Sequence, residues 1–156
     1  MVTATPQQIV VVQAGGSQLP EPEERLRVGV HWGFVWYRGS WANLDMEMDV
    51  RLGEGFCLDA GIGTYMVEGF YPHAYWRAGF KVRWYPKIVH GFFSVNFQQL
   101  FEDLHMGPRA AVGLDFVIPH IKHFYFTIET GGGVMFENER ELYGWYHVMG
   151  GTGMRF

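Results

Sequence analysis

Between residue 25 and the C-terminus, apolar side chains return at almost every second position, and that period of two most constrains the fold. It is the signature of β-strands whose two faces meet different surroundings. Leu26, Val28, Val30, Trp32, Phe34 and Trp36 alternate with Arg27, Gly29, His31 and Gly33. Leu44, Met46, Met48, Val50 and Leu52 alternate with Asp45, Glu47, Asp49 and Arg51, and Gly53-Glu54-Gly55 then supplies a tight turn. Six further segments repeat the pattern, centred on Phe56–Met66, Ala74–Trp84, Phe93–Gln98, Arg109–Phe116, Phe124–Phe136 and Tyr146–Phe156. Eight strands joined by short connections read as an up-and-down meander. Most span 9 to 14 residues, longer than the usual strand of about 5–6 and long enough for a tilted membrane crossing of about 9–11. No apolar run approaches the length of a membrane helix, about 20 residues, and no helical period competes.

An eight-stranded barrel can turn its apolar face inward, as a soluble carrier does, or outward to lipid. Charge separates the two. The polar faces carry Arg27, Arg51, Arg77, Lys81, Arg83, Arg109 and Arg155 against Asp45, Glu47, Asp49, Asp59, Asp115 and Glu129, while the apolar faces carry none. Such a nearly balanced set can pair inside a narrow lumen, whereas Arg or Lys facing lipid at mid-depth costs roughly 2–4 kcal/mol. Ten glycines, among them Gly29, Gly33, Gly61, Gly63, Gly79 and Gly113, also lie on the polar face. A crowded interior needs such gaps and a wet surface does not. Aromatic residues gather near both sets of strand ends, Trp36, Tyr37, Trp41, Tyr75, Trp145 and Tyr146 at one, and Trp84, Tyr85, Phe92, Phe93, Phe124 and Phe156 at the other. Rings placed this way suit the two membrane interfaces. The expected fold is therefore all-β, an eight-stranded antiparallel up-and-down transmembrane barrel over 25–156 with a polar, charged lumen.

The chain stops on Met154-Arg155-Phe156, an apolar-face aromatic. With the repeat of about 130 residues before it, this terminus resembles small bacterial outer-membrane barrels of the OmpA/OmpX-like eight-stranded class. The resemblance implies a bacterial outer-membrane location, both termini in the periplasm, contact with membrane lipids and lipopolysaccharide, and Phe156 as a signal read by the barrel-assembly machinery. Outer loops then fall near 39–43, 68–72, 101–107 and 137–144, and periplasmic turns near 53–55, 85–91 and 117–123. Residues 1–24, with Pro6, Pro20, Pro22 and Glu21–Glu24, read as a flexible periplasmic tail. With no basic first segment or long apolar stretch there, the chain reads as a mature one whose targeting peptide is gone.

The expected lumen network comprises Asp45, Glu47 and Asp49 of the second strand, Asp59 of the third, Arg77, Lys81 and Arg83 of the fourth, and Arg109 and Glu129 beyond. Its simplest role is to fill the lumen, and a narrow ion path is the functional alternative. On the lipid face, Thr130, Gly132, Gly150 and Thr152 interrupt a bulky band. They read as loose packing near the seam or as a docking face for a second membrane protein, since small residues let surfaces approach closely. His73, His105 and His147 read as outer-rim residues, with Ser40 in another loop. Some barrels of this class are lipid A acyltransferases or deacylases working at that rim, but acyl chemistry needs a nucleophile with an oriented base, and no His–Ser pair is evident. Cys57 reads as a lumen filler, and one Cys excludes an intrachain disulfide or a Cys-rich zinc site. A net charge of −4 with 18% charged residues excludes a generally basic nucleic-acid binder. No catalytic residue, metal or cofactor is expected. The reading is a structural or accessory outer-membrane barrel, an anchor or a subunit of an envelope complex through a second membrane protein or a periplasmic partner of the tail. The alternatives are a rim enzyme on lipid A and a soluble calycin-like carrier of an apolar ligand.

Overall fold

The computed structural model describes residues 24–37, 39–66, 72–85, 88–101, 105–118, 120–121, 123–137 and 141–156. Eight strands follow in order: β1 Leu26–Trp36, β2 Ser40–Arg51, β3 Phe56–Met66, β4 His73–Trp84, β5 Val89–Leu100, β6 Met106–Val117, β7 Phe124–Glu137 and β8 Glu141–Arg155. Each pairs antiparallel with its neighbours, and β1 pairs with β8, so the sheet closes. Closure removes the two exposed edges that an open meander would leave. The terminus belongs to that seam, because the Arg25 amide donates to the Phe156 carbonyl at 2.8 Å and the Phe156 amide to that of Leu26 at 2.8 Å.

The strands run past the bounds read from the sequence. β2 begins at Ser40, β5 at Val89, β6 at Met106 and β8 at Glu141, so parts of 39–43, 85–91, 101–107 and 137–144 are strand rather than loop. No connection exceeds six residues. The turn after β2 needs its glycine. Gly55 has φ +75°, and a Cβ there would overlap the Arg83 carbonyl, while Arg83 donates its amide to Gly55 at 2.6 Å.

The outer wall of the barrel is apolar. Trp32 and Ile62 are more than half exposed, and Met46, Phe80, Val95, Leu114 and Ile128 are likewise open on the outer wall. The alternating partners point inward and are buried: Arg27 and His31 in β1, Asp45, Glu47 and Asp49 in β2, Arg77, Lys81 and Arg83 in β4. This is the arrangement of a transmembrane barrel. It overturns the soluble-carrier alternative, which needs the apolar face inside.

Three of the rings assigned to the interface belts are buried inside the lumen instead, and Tyr37 and Trp41 pack against its apolar cluster. Tyr75 is fully buried, Phe92 is 1% exposed and Trp145 7%. The phase of each strand explains this. Tyr75 shares a face with Arg77 and Lys81, Phe92 with Ser94, Asn96 and Gln98, and Trp145 with His147. Side-chain alternation places a residue before its chemistry does. The expectation of a flexible tail over 1–24 lies outside the described residues except at Glu24, which is buried and ion-paired to Arg27 and to Arg155, the latter at 3.3 Å.

Candidate functional site: the lumen

The lumen is built in two layers. At the β1–β2 end, Val35, Tyr65, Tyr75, Leu100, Met135 and Trp145 form an apolar cluster, with Tyr37 and Trp41 packed on it. The Tyr65 and Tyr75 rings stack at 4.6 Å. Gly63 leaves the room, since a Cβ there would come within 2.5 Å of the Tyr75 ring. The hydroxyls are held from below: Tyr75 donates to Asn43 Oδ1 at 3.1 Å, and Gln98 donates to the Tyr65 oxygen at 2.5 Å. Burying these hydroxyls without partners would be costly, and Asn43 and Gln98 supply them.

Beneath this layer lie the charges. Arg77 spreads its guanidinium over three carboxylates, with Nε to Asp45 at 2.9 Å, Nη1 to Asp59 at 2.7 Å and Nη2 to Glu47 at 2.7 Å. A planar fork of five donors reaches three acceptors in this way. Gly61, opposite Arg77, leaves the space, because a Cβ there would approach Arg77 Nε to 2.9 Å. Lys81 sits 2.5 Å from Glu47, 3.2 Å from Asp49 and 3.8 Å from Asp59. Arg83 continues the chain to Asp49 at 2.5 Å and Asp115 at 3.1 Å, and Asp115 also accepts from Arg27 at 2.5 Å. On the far wall Arg109 pairs with Glu129 and reaches Asp45 at 3.5 Å.

All nine residues read from the sequence as the network thus lie in the lumen and connect. The structure adds Glu24, Arg27, Asp115, Arg155, His31, His90 and His147. Among the described residues, seven buried carboxylates face six buried Arg and Lys side chains. Aromatic faces complete the cation environment, with Lys81 4.9 Å and Arg83 5.7 Å from the Phe92 ring centre and Arg27 5.1 Å from that of Tyr125. The signal for the added residues was strand phase: Arg27, His31, Asp115, His147 and Arg155 stand on the inward positions of their strands.

His147 is not a rim residue. It is fully buried in the lumen, 3.1 Å from Glu129 and 3.2 Å from Arg109. That removes one of the three histidines from the proposed rim site. His73 stays at the rim, stacked on Trp41 at 6.4 Å. Glu102, Asp103 and Glu139, in the spans read as outer loops, lie outside the described residues. Cys57 is buried in the lumen wall, 3.8 Å from Arg83 Nη1.

The small outward residues do not form one flat patch. The β7–β8 register sets Thr130 opposite Val148, Gly132 opposite Tyr146, Ile128 opposite Gly150 and Phe126 opposite Thr152. Each small residue is therefore staggered against a large one. The two hydroxyls turn back to the backbone, Thr130 to the His147 carbonyl at 3.0 Å and Thr152 to that of Tyr125 at 3.1 Å, which hides them from lipid. The glycines also differ. A Cβ at Gly150 meets nothing nearer than 3.9 Å, whereas one at Gly132 would come within 2.5 Å of the Trp145 carbonyl. Of these two glycines only Gly150 is open to enlargement.

No protein-family model matches the chain, and no curated protein matches it in sequence. Solved structures do match in fold. The N-terminal β-barrel domain of Pseudomonas aeruginosa OprF is similar with a TM-score of 0.64 at 11% identity, over 86% of this chain and 100% of that one. Neisserial surface protein A gives 0.62 at 10%, over 84% and 96%. A de novo designed transmembrane β-barrel gives 0.64 at 14%, over 85% and 96%. The fold is that of the small eight-stranded outer-membrane barrels.

Proposed function

We propose that this chain is a structural barrel of the bacterial outer membrane, closed to solutes, which serves as an anchor or accessory subunit of a larger envelope assembly and carries no catalytic site. The observation that supports this most is the lumen itself. Its inward side chains are buried and tied across the barrel from β2 to β7 by ion pairs, beneath an apolar-aromatic layer. Eight strands enclose an interior that side chains can fill, and solute-sized channels belong to barrels of many more strands. The short connections offer little surface for capture of a large ligand at the rims. The two ends of the barrel, Arg25 and Phe156, meet beside Glu24. On this reading the rim where they meet faces the periplasm and presents residues 1–23 there.

Planar-bilayer recording tests the closed lumen. The purified barrel is expected to add no stable conductance on the nanosiemens scale. A steady pore of that size overturns the reading.

Phe156 carries a second expectation. On this reading it is recognised by the barrel-assembly machinery, and its backbone also closes the β1–β8 seam. Deleting it should lower insertion in cells far more than it lowers refolding from urea into detergent. Equal losses in both assays would reduce Phe156 to a stability role.

A further inference from the structure

We propose that the lumen holds a built site for one divalent transition-metal ion of the zinc class, formed by His31 of β1, Glu47 of β2 and Glu129 of β7. The proposal goes beyond the structural role above and does not depend on it. One ligand atom from each residue lies within 4.8 Å of the other two. His31 Nδ1 stands 3.9 Å from Glu47 Oε2. A tetrahedral ion with bonds of about 2.1 Å needs ligand separations of about 3.4 Å, so the His31–Glu47 pair closes by about half an ångström and no pair by more than about 1.4 Å.

The independent observation is His31 itself. It is 1% exposed, and neither ring nitrogen has a hydrogen-bond partner. A buried imidazole without partners is costly, yet the sequence clears space to seat this one. A Cβ at Gly151 would overlap the ring, and a Cβ at Gly29 would come within 3.2 Å of Nε2. The ring thus lies over two glycines with Nδ1 turned to a carboxylate. Charge agrees, because buried carboxylates outnumber the buried Arg and Lys side chains by one among the described residues. The neighbouring acidic trio of Glu47, Asp49 and Asp59 already has its cation in Lys81. Glu47 is also held by Arg77 and Glu129 by Arg109, and of the three ligands only His31 has both of its polar atoms without a partner. Imidazole with carboxylates suits zinc and its neighbours in the divalent series better than calcium or magnesium.

The site is buried, so the ion is supplied during refolding of the full chain into detergent, followed by removal of free metal. Zinc(II) alone is the probe, and metal content and thermal unfolding are the readouts. One ion per chain and a raised unfolding temperature are expected. A variant with His73, His105, His120 and His123 all changed to Gln removes the histidines nearer the barrel ends and should still retain one ion. His31→Gln and Glu129→Gln should each weaken retention by more than about tenfold. Loss of the ion in the fourfold variant, retention unchanged in His31→Gln, or no ion bound by the parent chain would each overturn the proposal.

Discussion

Replacing Arg77 with Met is expected to lower the stability of the folded barrel by about 3–5 kcal/mol, the usual cost of removing one partner from a buried ion pair. Arg77 contacts Asp45, Asp59 and Glu47 at 2.7–2.9 Å, and all four groups are buried. Met fills most of the volume but donates nothing. Lys81 still serves Glu47, and Asn96 still donates to Asp59 at 2.9 Å. Asp45 is left with Arg109 at 3.5 Å, and one of its oxygens already has no hydrogen-bond partner. The denaturant midpoint, followed by the gel shift between folded and unfolded barrel, reads the effect. Adding Asp45→Asn to Arg77→Met should recover part of the loss, because it removes the carboxylate that Met strands. An unchanged midpoint for Arg77→Met would mean that water reaches the network.

Gly33→Leu is expected to prevent closure of the barrel or to destabilise it by about 3 kcal/mol or more, at or beyond the upper end of ordinary overpacking. Gly33 lies on the inward face of β1 opposite Met149 of β8. A Cβ there would overlap the Val148 carbonyl oxygen and come within 2.7 Å of Met149 Cα. These are backbone atoms of the closing seam, which cannot swing aside as a side-chain tip can. Gly150→Leu is the matched comparison on the outer face of the same pair of strands. Space is open there, and the variant should fold with the stability of the parent. If Leu is tolerated equally at both positions, the inward glycines are not clearing the lumen.

Strand number, the outward apolar face and the membership of the charge network could be read from the sequence because each rests on a period of two. The phase of Asp45, Glu47 and Asp49 places all three inside, and the same rule carries Arg77, Lys81 and Arg83. Residue type misleads where it competes with phase. As aromatics Tyr75, Phe92 and Trp145 suit the interfaces, and His147 lies near a loop in sequence. Their strands turn all four inward. Long-range detail was beyond pattern reading for another reason. That Arg77 would meet Asp45, Asp59 and Glu47 together, or that Arg27 would reach Asp115 from 88 residues away, depends on barrel closure and on the stagger of eight strands. The staggered placing of Thr130, Gly132, Gly150 and Thr152 likewise follows from the β7–β8 register, which their spacing within each strand does not specify.

A lipid-facing apolar wall around a paired, charged interior inverts the arrangement of a water-soluble barrel. Spin labels placed one at a time from Asn43 to Val50, in a Cys57→Ser background reconstituted in bilayers, test it most directly. Leu44, Met46, Met48 and Val50 stand open on the outer wall, and Asn43, Asp45, Glu47 and Asp49 are buried within. Labels at the even positions should relax strongly with oxygen, which concentrates in lipid, and weakly with a water-soluble nickel complex. Labels at the odd positions that still fold should be shielded from both. High access of the nickel complex at 45, 47 and 49, with the even positions shielded from oxygen, would contradict the account.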